Sequence, residues 1–164
     1  MLRRPTRTLQ KTKATIGIVA SRYNGRYVDG MLRHARAALK QAGARVEILR
    51  VPGAFEIPLI ASRWASGGKV SAIICLGVII RGETAHADHV GRSVSQLLGQ
   101  IAVETGLPIV HEVLLLNDAA QAKVRCLEST CNRGTEAAAT ALEMVAICRD
   151  QRLGSPSQRD KRAL

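Results

Sequence analysis

Four times along the chain a short apolar run gives way to a segment whose apolar residues recur at helical spacing, and no other feature constrains the fold as strongly. The runs are residues 14–20 (ATIGIVA), 45–51 (RVEILRV), 71–80 (SAIICLGVII) and 109–116 (IVHEVLLL). Runs that are β-branched and apolar at successive positions suit strands buried on both faces, as in a parallel sheet. After the first run, Val28, Met31, Leu32, Ala35, Leu39 and Ala42 recur at helical spacing, and Gly43 follows where a helix C-cap belongs. Further helices are expected over about 56–66, 88–105, 119–127 and 132–147. The expected class is therefore α/β, a three-layer α/β/α sandwich around a four-stranded parallel sheet with right-handed crossovers. Ligands bind such sheets beyond the carboxyl ends of the strands. That rule selects residues 21–25, 52–56, 81–86 and 116–118 as the loops to search.

At 164 residues the chain fits one domain. The expected organisation is a flexible basic arm over 1–13, a single α/β domain over 14–150 and a flexible basic tail over 151–164. Of the net charge of +11, the arm carries +5 through Arg3, Arg4, Arg7, Lys11 and Lys13, and residues 149–164 carry +3. Basic ends can bind nucleic acid. No aromatic accompanies these charges, so a stacking platform for single strands is missing and nucleic acid is not the expected partner. No apolar run approaches the ~18 residues of a membrane span. Cys75, Cys126, Cys131 and Cys148 form no C-x-x-C pair, and Cys75 lies in an apolar run as a small hydrophobe. With no signal-type apolar region after the basic start, the expected compartment is the reducing cytoplasm.

Chemistry concentrates in the selected loops. Neither G-x-x-x-x-G-K-S/T nor G-x-G-x-x-G occurs, so nucleotide binding of those kinds is not expected. The loop 81–86 (RGETAH) leaves the third strand and leads into a helix, whose free N–H groups favour an anion. Gly82 lets backbone approach closely, and His86 beside the anion suits proton transfer near neutral pH. The same loop also reads as a plain helix entry with Thr84 as N-cap and an exposed histidine. His86 and His89 share a helical face, but no Cys–His cluster or H-E-x-x-H accompanies them, so no metal is expected. Tyr23, Tyr27, Phe55 and Trp64 are the only aromatics. Phe55 and Glu56 stand at a strand-to-helix junction, in residues 51–58 (VPGAFEIP), where a ring and a carboxylate could meet a flat polar ligand. Tyr23 follows the first strand, where a stacking ring would be wanted. Each admits a second reading, with Phe55 in the core, Glu56 merely favourable at a helix start and Tyr23 on the surface. Arg125 suits a bidentate grip on phosphate.

Taken together, these segments resemble the lumazine synthase family. The matching pieces are Arg22-Tyr23-Asn24, residues 51–58 (VPGAFEIP), residues 76–86 (LGVIIRGETAH), Gln121-Ala122 with Arg125, and Asn132-Arg133-Gly134 with Glu136-Ala137-Ala138. Order and spacing agree over about residues 14–148. The resemblance implies a flavodoxin-like fold and a homopentamer with sites shared between neighbours, assembled in some members into a hollow shell. It also implies riboflavin synthase as a possible partner. The implied reaction condenses 5-amino-6-(D-ribitylamino)uracil with 3,4-dihydroxy-2-butanone 4-phosphate, without cofactor or metal. By the same resemblance, Tyr23 stacks on the pyrimidine, Ala54, Phe55 and Glu56 hold the ribityl chain and ring, and Val78, Ile79 and Ile80 border the pyrimidine. Glu83 and Thr84 present N–H groups to the phosphate, His86 transfers protons and Arg125 grips the phosphate across the subunit boundary. Two positions depart from the pattern. His111, which faces the pyrimidine by this resemblance, stands where many members have Phe, and Ser129 stands where many have Lys, a charge that Arg133 would partly replace. Two other readings keep the fold: a non-catalytic flavin- or lumazine-binding paralogue, and a cage or scaffold whose basic arms hold RNA or acidic cargo.

Overall fold

The computed structural model describes residues 11–151. Most of the expected basic arm and tail therefore lies outside the described residues. Among those that are described, Thr12 N–H donates to Ala42 O at 2.9 Å and Lys11 Nζ to Gln41 O at 2.7 Å.

The four expected strands are present as β1 (Thr15–Ser21), β2 (Arg45–Val51), β3 (Ala72–Ile80) and β4 (Ile109–Leu116). All pair in parallel in the order β2-β1-β3-β4, with Ile18 beside both Ile48 and Ile74, and Ile74 beside Val110. The order reverses direction between β1 and β3, which makes their carboxyl ends the switch point of a flavodoxin-like sheet. The helices are α1 (Gly25–Gln41), α2 (Ile57–Ser66), α3 (His86–Thr105), α4 (Ala119–Cys126) and α5 (Arg133–Asp150).

Side-chain alternation divides the core into two layers. Ile16, Ile18, Ala72, Ile74, Leu76, Val78 and Val110 face α1, α4 and α5. Val19, Val51, Ile73, Cys75 and Val113 face α2 and α3. Cys75 is fully buried, and burial pushes its thiol well above the ordinary range, which makes it the inert hydrophobe its setting in the sequence suggested.

Helix boundaries differ from the sequence reading by one to three residues, each for a local reason. α2 begins at Ile57 because residues 54–56 form a 3₁₀ turn first. α3 begins at His86 rather than 88, since Ala85 already holds near-helical dihedrals. α5 runs on to Asp150 rather than 147. At the end of α1 the C-cap is as expected: Gly43 has φ 81°, Gly43 N–H donates to Lys40 O and Ala44 N–H to Leu39 O. This pair of bonds is a Schellman motif, which needs the left-handed residue that glycine supplies.

The closest helix contact joins α1 to α5 at Gly134. A Cβ there would stand 1.9 Å from Met31 O. Asn132, 1 % exposed, caps α5 by accepting from Gly134 N–H at 2.9 Å and donates to Cys126 O at 2.7 Å, so the ends of α4 and α5 are bound together. Gly134→Ala must push backbone away from backbone. It is expected to remove about 1–3 kcal/mol of unfolding free energy, read from the urea midpoint at fixed protein concentration. An unchanged midpoint would contradict the tight crossing.

Candidate active site

The carboxyl edge of the sheet is assembled by bonds that cross from loop to loop. After β1, Arg22 N–H donates to Val51 O at 2.8 Å and Tyr23 N–H to Pro52 O at 3.0 Å, tying the first loop to the second. Asn24 follows in the left-handed conformation, φ 54°, and its Nδ2 donates to Val78 O at 2.8 Å. Asparagine tolerates that conformation better than most residues. The turn leaves the Tyr23 ring 75 % exposed. In the second loop, Glu56 Oε2 accepts from Gly53 N–H at 2.7 Å, which holds the 3₁₀ turn and leaves Phe55 57 % exposed beside buried Ala54. Pro58 sits in the first turn of α2, where an N–H would lack an intrahelical partner. Val78 is buried, while Ile79 and Ile80 are half-buried at the end of β3.

The third loop is joined to the fourth strand: Arg81 N–H donates to Leu116 O at 2.9 Å. Its guanidinium pairs with Asp88 at 2.6 Å, across the first turn of α3. Glu83, Thr84 and His86 are exposed. Thr84 Oγ1 accepts weakly from His86 N–H at 3.4 Å, and His86 is the first residue of a 20-residue helix. Unsatisfied N–H groups and the helix field favour an anion at that end. Among the described residues, no group of three or more His, Cys, Asp or Glu side chains comes together to hold a metal.

Arg125 stands elsewhere. It lines a groove of about 710 Å³ with Leu114, Leu116, Gln121, Val124 and Arg133. None of Tyr23, Phe55 and His86 borders this groove. α4 is fixed there by Asp118, whose carboxylate accepts from Gln121 N–H at 2.8 Å, and Gln121 in turn accepts from Asn117 N–H at 3.0 Å. Phe55 lines a second groove of about 400 Å³ with Pro58, Leu59, Leu97 and Ile101 of α2 and α3. His111 lies on the α3 face of β4, with its Nε2 2.9 Å from Ser95 Oγ. Burial lowers its imidazole pKa, partly opposed by a backbone hydrogen bond, and so favours the neutral ring. Within one chain the structure thus gathers Tyr23, residues 54–56, 78–80 and 83–86 along one edge. Arg125 and His111 are set apart from them and from each other, on opposite faces of β4.

Sequence reasoning missed a charged cluster. Glu112, 5 % exposed on the α5 face of β4, accepts from Arg133 Nε at 2.9 Å, and Arg133 also pairs with Glu136. Burial pushes the Glu112 carboxyl up to about 7. The charges of Arg133 and Arg125 oppose the rise, and Glu136 adds to it. The signal was available, since a glutamate inside an apolar run demands a cation when that run is buried. Arg133 itself has a raised pKa: its two carboxylates outweigh the effect of burial.

Residues 13–149 match the sequence family described as 6,7-dimethyl-8-ribityllumazine synthase. Proteins of that name from Xanthomonas campestris pv. campestris, strains B100 and 8004, are each 40 % identical over 142 residues, covering 85 % of this chain and 92 % of theirs. The match spans all four strands and every loop at the carboxyl edge, and on that extent the chain belongs to the 6,7-dimethyl-8-ribityllumazine synthase family.

Proposed function

We propose that this protein condenses 5-amino-6-(D-ribitylamino)uracil with 3,4-dihydroxy-2-butanone 4-phosphate to 6,7-dimethyl-8-ribityllumazine, a step of riboflavin biosynthesis. The observation that carries this reading is the carboxyl edge: exposed Tyr23 and Phe55 stand on two loops bonded to each other, and a helix N-terminus with His86 stands on the loop after the adjacent β3. Membership of the family supports it independently.

The 5-amino nitrogen attacks the ketone carbon and water leaves as the imine forms. Removal of the proton at the neighbouring carbon expels phosphate. The resulting enol tautomerises to a ketone, the ribitylamino nitrogen attacks it, and a second water leaves as the ring closes. In this scheme Tyr23 and Phe55 cover the flat ring and the ribityl chain, with Ala54 and Glu56 beside them and the backbone of Val78, Ile79 and Ile80 along the pyrimidine. N–H groups around Glu83 and Thr84 meet the phosphate, and His86 carries the protons. The chemistry calls for no cofactor.

Arg125 and His111 complete the site from a neighbouring copy, in a homopentamer. What supports this is that the groove lined by Arg125 is not bordered by His86, that His111 lies on the opposite face of β4 against Ser95, and that Leu59, Leu97 and Val103 expose apolar surface on α2 and α3. Cysteines without a C-x-x-C pair favour the cytoplasm as the working compartment.

Lumazine and phosphate are expected to appear together, well above the uncatalysed blank. Loss of the imidazole in His86→Ala is expected to lower kcat by about 10²-fold with KM for either substrate little changed. In Arg125→Ala the KM for the phosphate substrate should rise by about tenfold or more, the scale of a lost charge-assisted hydrogen bond. A wild type that binds lumazine yet turns over no faster than the blank would make this a binding paralogue. A shared site has one further signature. Assayed at a phosphate-substrate concentration well below KM, where each variant alone is slow, co-assembled His86→Ala and Arg125→Ala subunits are expected to regain up to about a quarter of wild-type activity at randomly mixed head-to-tail interfaces. No recovery would place both residues in a site within one chain.

A further inference from the structure

Glu112 occupies a position where apolar side chains belong. On its face of β4, Val110 and Leu116 are buried in the core and Leu114 packs against it. The neighbouring strand presents Leu76 and Val78 to this layer, and α1 presents Val28 and Met31. The charged groups that meet Glu112 come from the other two helices, Arg133 and Glu136 from α5 and Arg125 from α4. α4 also brings Cys126, whose thiol burial and the Glu112 charge push up to about 11, so it stays neutral. A carboxylate in such a layer persists only when paired and hydrogen-bonded.

The pairing reaches into the groove that Arg125 lines. Arg133 borders that groove, and its guanidinium is held by Glu112 through Nε and by Glu136 through Nη1. With both carboxylates ionised, two guanidiniums face two negative charges and the cluster is neutral. One proton on Glu112 leaves the cluster with a net positive charge and weakens one of the two holds on Arg133. Burial raises the carboxyl to about 7, which puts this change inside the working range of a neutral-pH enzyme.

We propose that Glu112 is a positioning residue that sets the aim of Arg133 and the net charge around it, so that the Arg125 groove binds a dianion more tightly when Glu112 is protonated. The inference rests on reading this groove as the phosphate subsite. It also gives Arg133 a role different from simple replacement of the missing lysine at Ser129: its guanidinium stays charged, and its carboxylate partner sets how much of that charge is cancelled.

Sulfate is the probe, because its charge is fixed across the range in which a phosphate monoester titrates. Its binding to the assembled protein would be measured by calorimetry from pH 6 to 8.5 for wild type, Glu112→Gln and Glu112→Asp. The affinity ratio of Glu112→Gln to wild type cancels histidine titrations common to both. That ratio is expected to stand near one at pH 6 and to rise to about fivefold at pH 8.5, the scale of one unit charge acting near the surface. Glu112→Asp, which keeps a titrating carboxyl, should retain a pH-dependent profile. Glu112→Met, apolar like its neighbours, gives the same readout should glutamine not be accommodated. A ratio that is constant with pH, while Arg125→Ala abolishes sulfate binding, overturns the gating role and leaves the phosphate subsite standing. Sulfate binding untouched by Arg125→Ala overturns both.

Discussion

The hydrogen bond from Asn24 Nδ2 to Val78 O, 2.8 Å long, is the constraint on which the rest of the carboxyl edge depends. It spans the switch point between β1 and β3, where no ladder bond continues. Asn24 is also the one non-glycine residue with positive φ among the described residues, and its side chain makes that conformation useful. Fixing Asn24 fixes the reverse turn before α1, and so the direction in which Tyr23 leaves the backbone. The N–H groups of Arg22 and Tyr23 then hold the loop after β2, and Arg81 N–H holds the end of β4. Loops that share no sequence motif become one surface because each is bonded to a neighbouring loop or strand end.

The architecture was legible because a strand covered on both faces must be apolar at successive positions, and that pattern survives in one dimension. Residues 71–80 could hardly be anything else, and β3 is indeed buried from Ala72 to Val78. Helix ends were less legible for a physical reason. The start of α3 at His86 goes with dihedrals already near-helical at Ala85 and a weak bond from His86 N–H to Thr84 Oγ1, neither of which leaves a strong compositional mark. The C-cap at Gly43 was plain because positive φ has a residue preference of its own.

Of the candidate site, exposed positions on adjacent loops were legible in the sequence, while those that depend on distant partners were not. Tyr23 and Phe55 stood out because the chain has so few aromatics, and both project from the edge rather than into the core. The reading of Glu56 as a favourable helix-start carboxylate is met in part, since it holds Gly53 N–H and still belongs to the exposed loop. Arg133 was visible as a charge that would partly replace the lysine missing at Ser129, but not as half of a buried pair. Its partner Glu112 is twenty-one positions earlier and on another element, so the pair exists only after β4 and α5 pack.

With phosphate assigned to the Arg125 groove, as proposed above, the neutral balance of that cluster bears on turnover as well as on binding. Substrate and released inorganic phosphate offer the same group to the same groove, so any grip on phosphate that does not change along the reaction holds product as firmly as substrate. Two guanidiniums without counter-charge would strengthen that uniform grip, and product release would then limit the rate. Arg133, held by Glu112 and Glu136, keeps guanidinium geometry at the groove while cancelling most of the surplus charge. Arg125, exposed and outside any such clamp in the structure, is left to supply the directional contact. Discrimination then comes from where the donors point rather than from how much positive charge the groove carries, which is the arrangement a reaction that must both bind and discard phosphate requires.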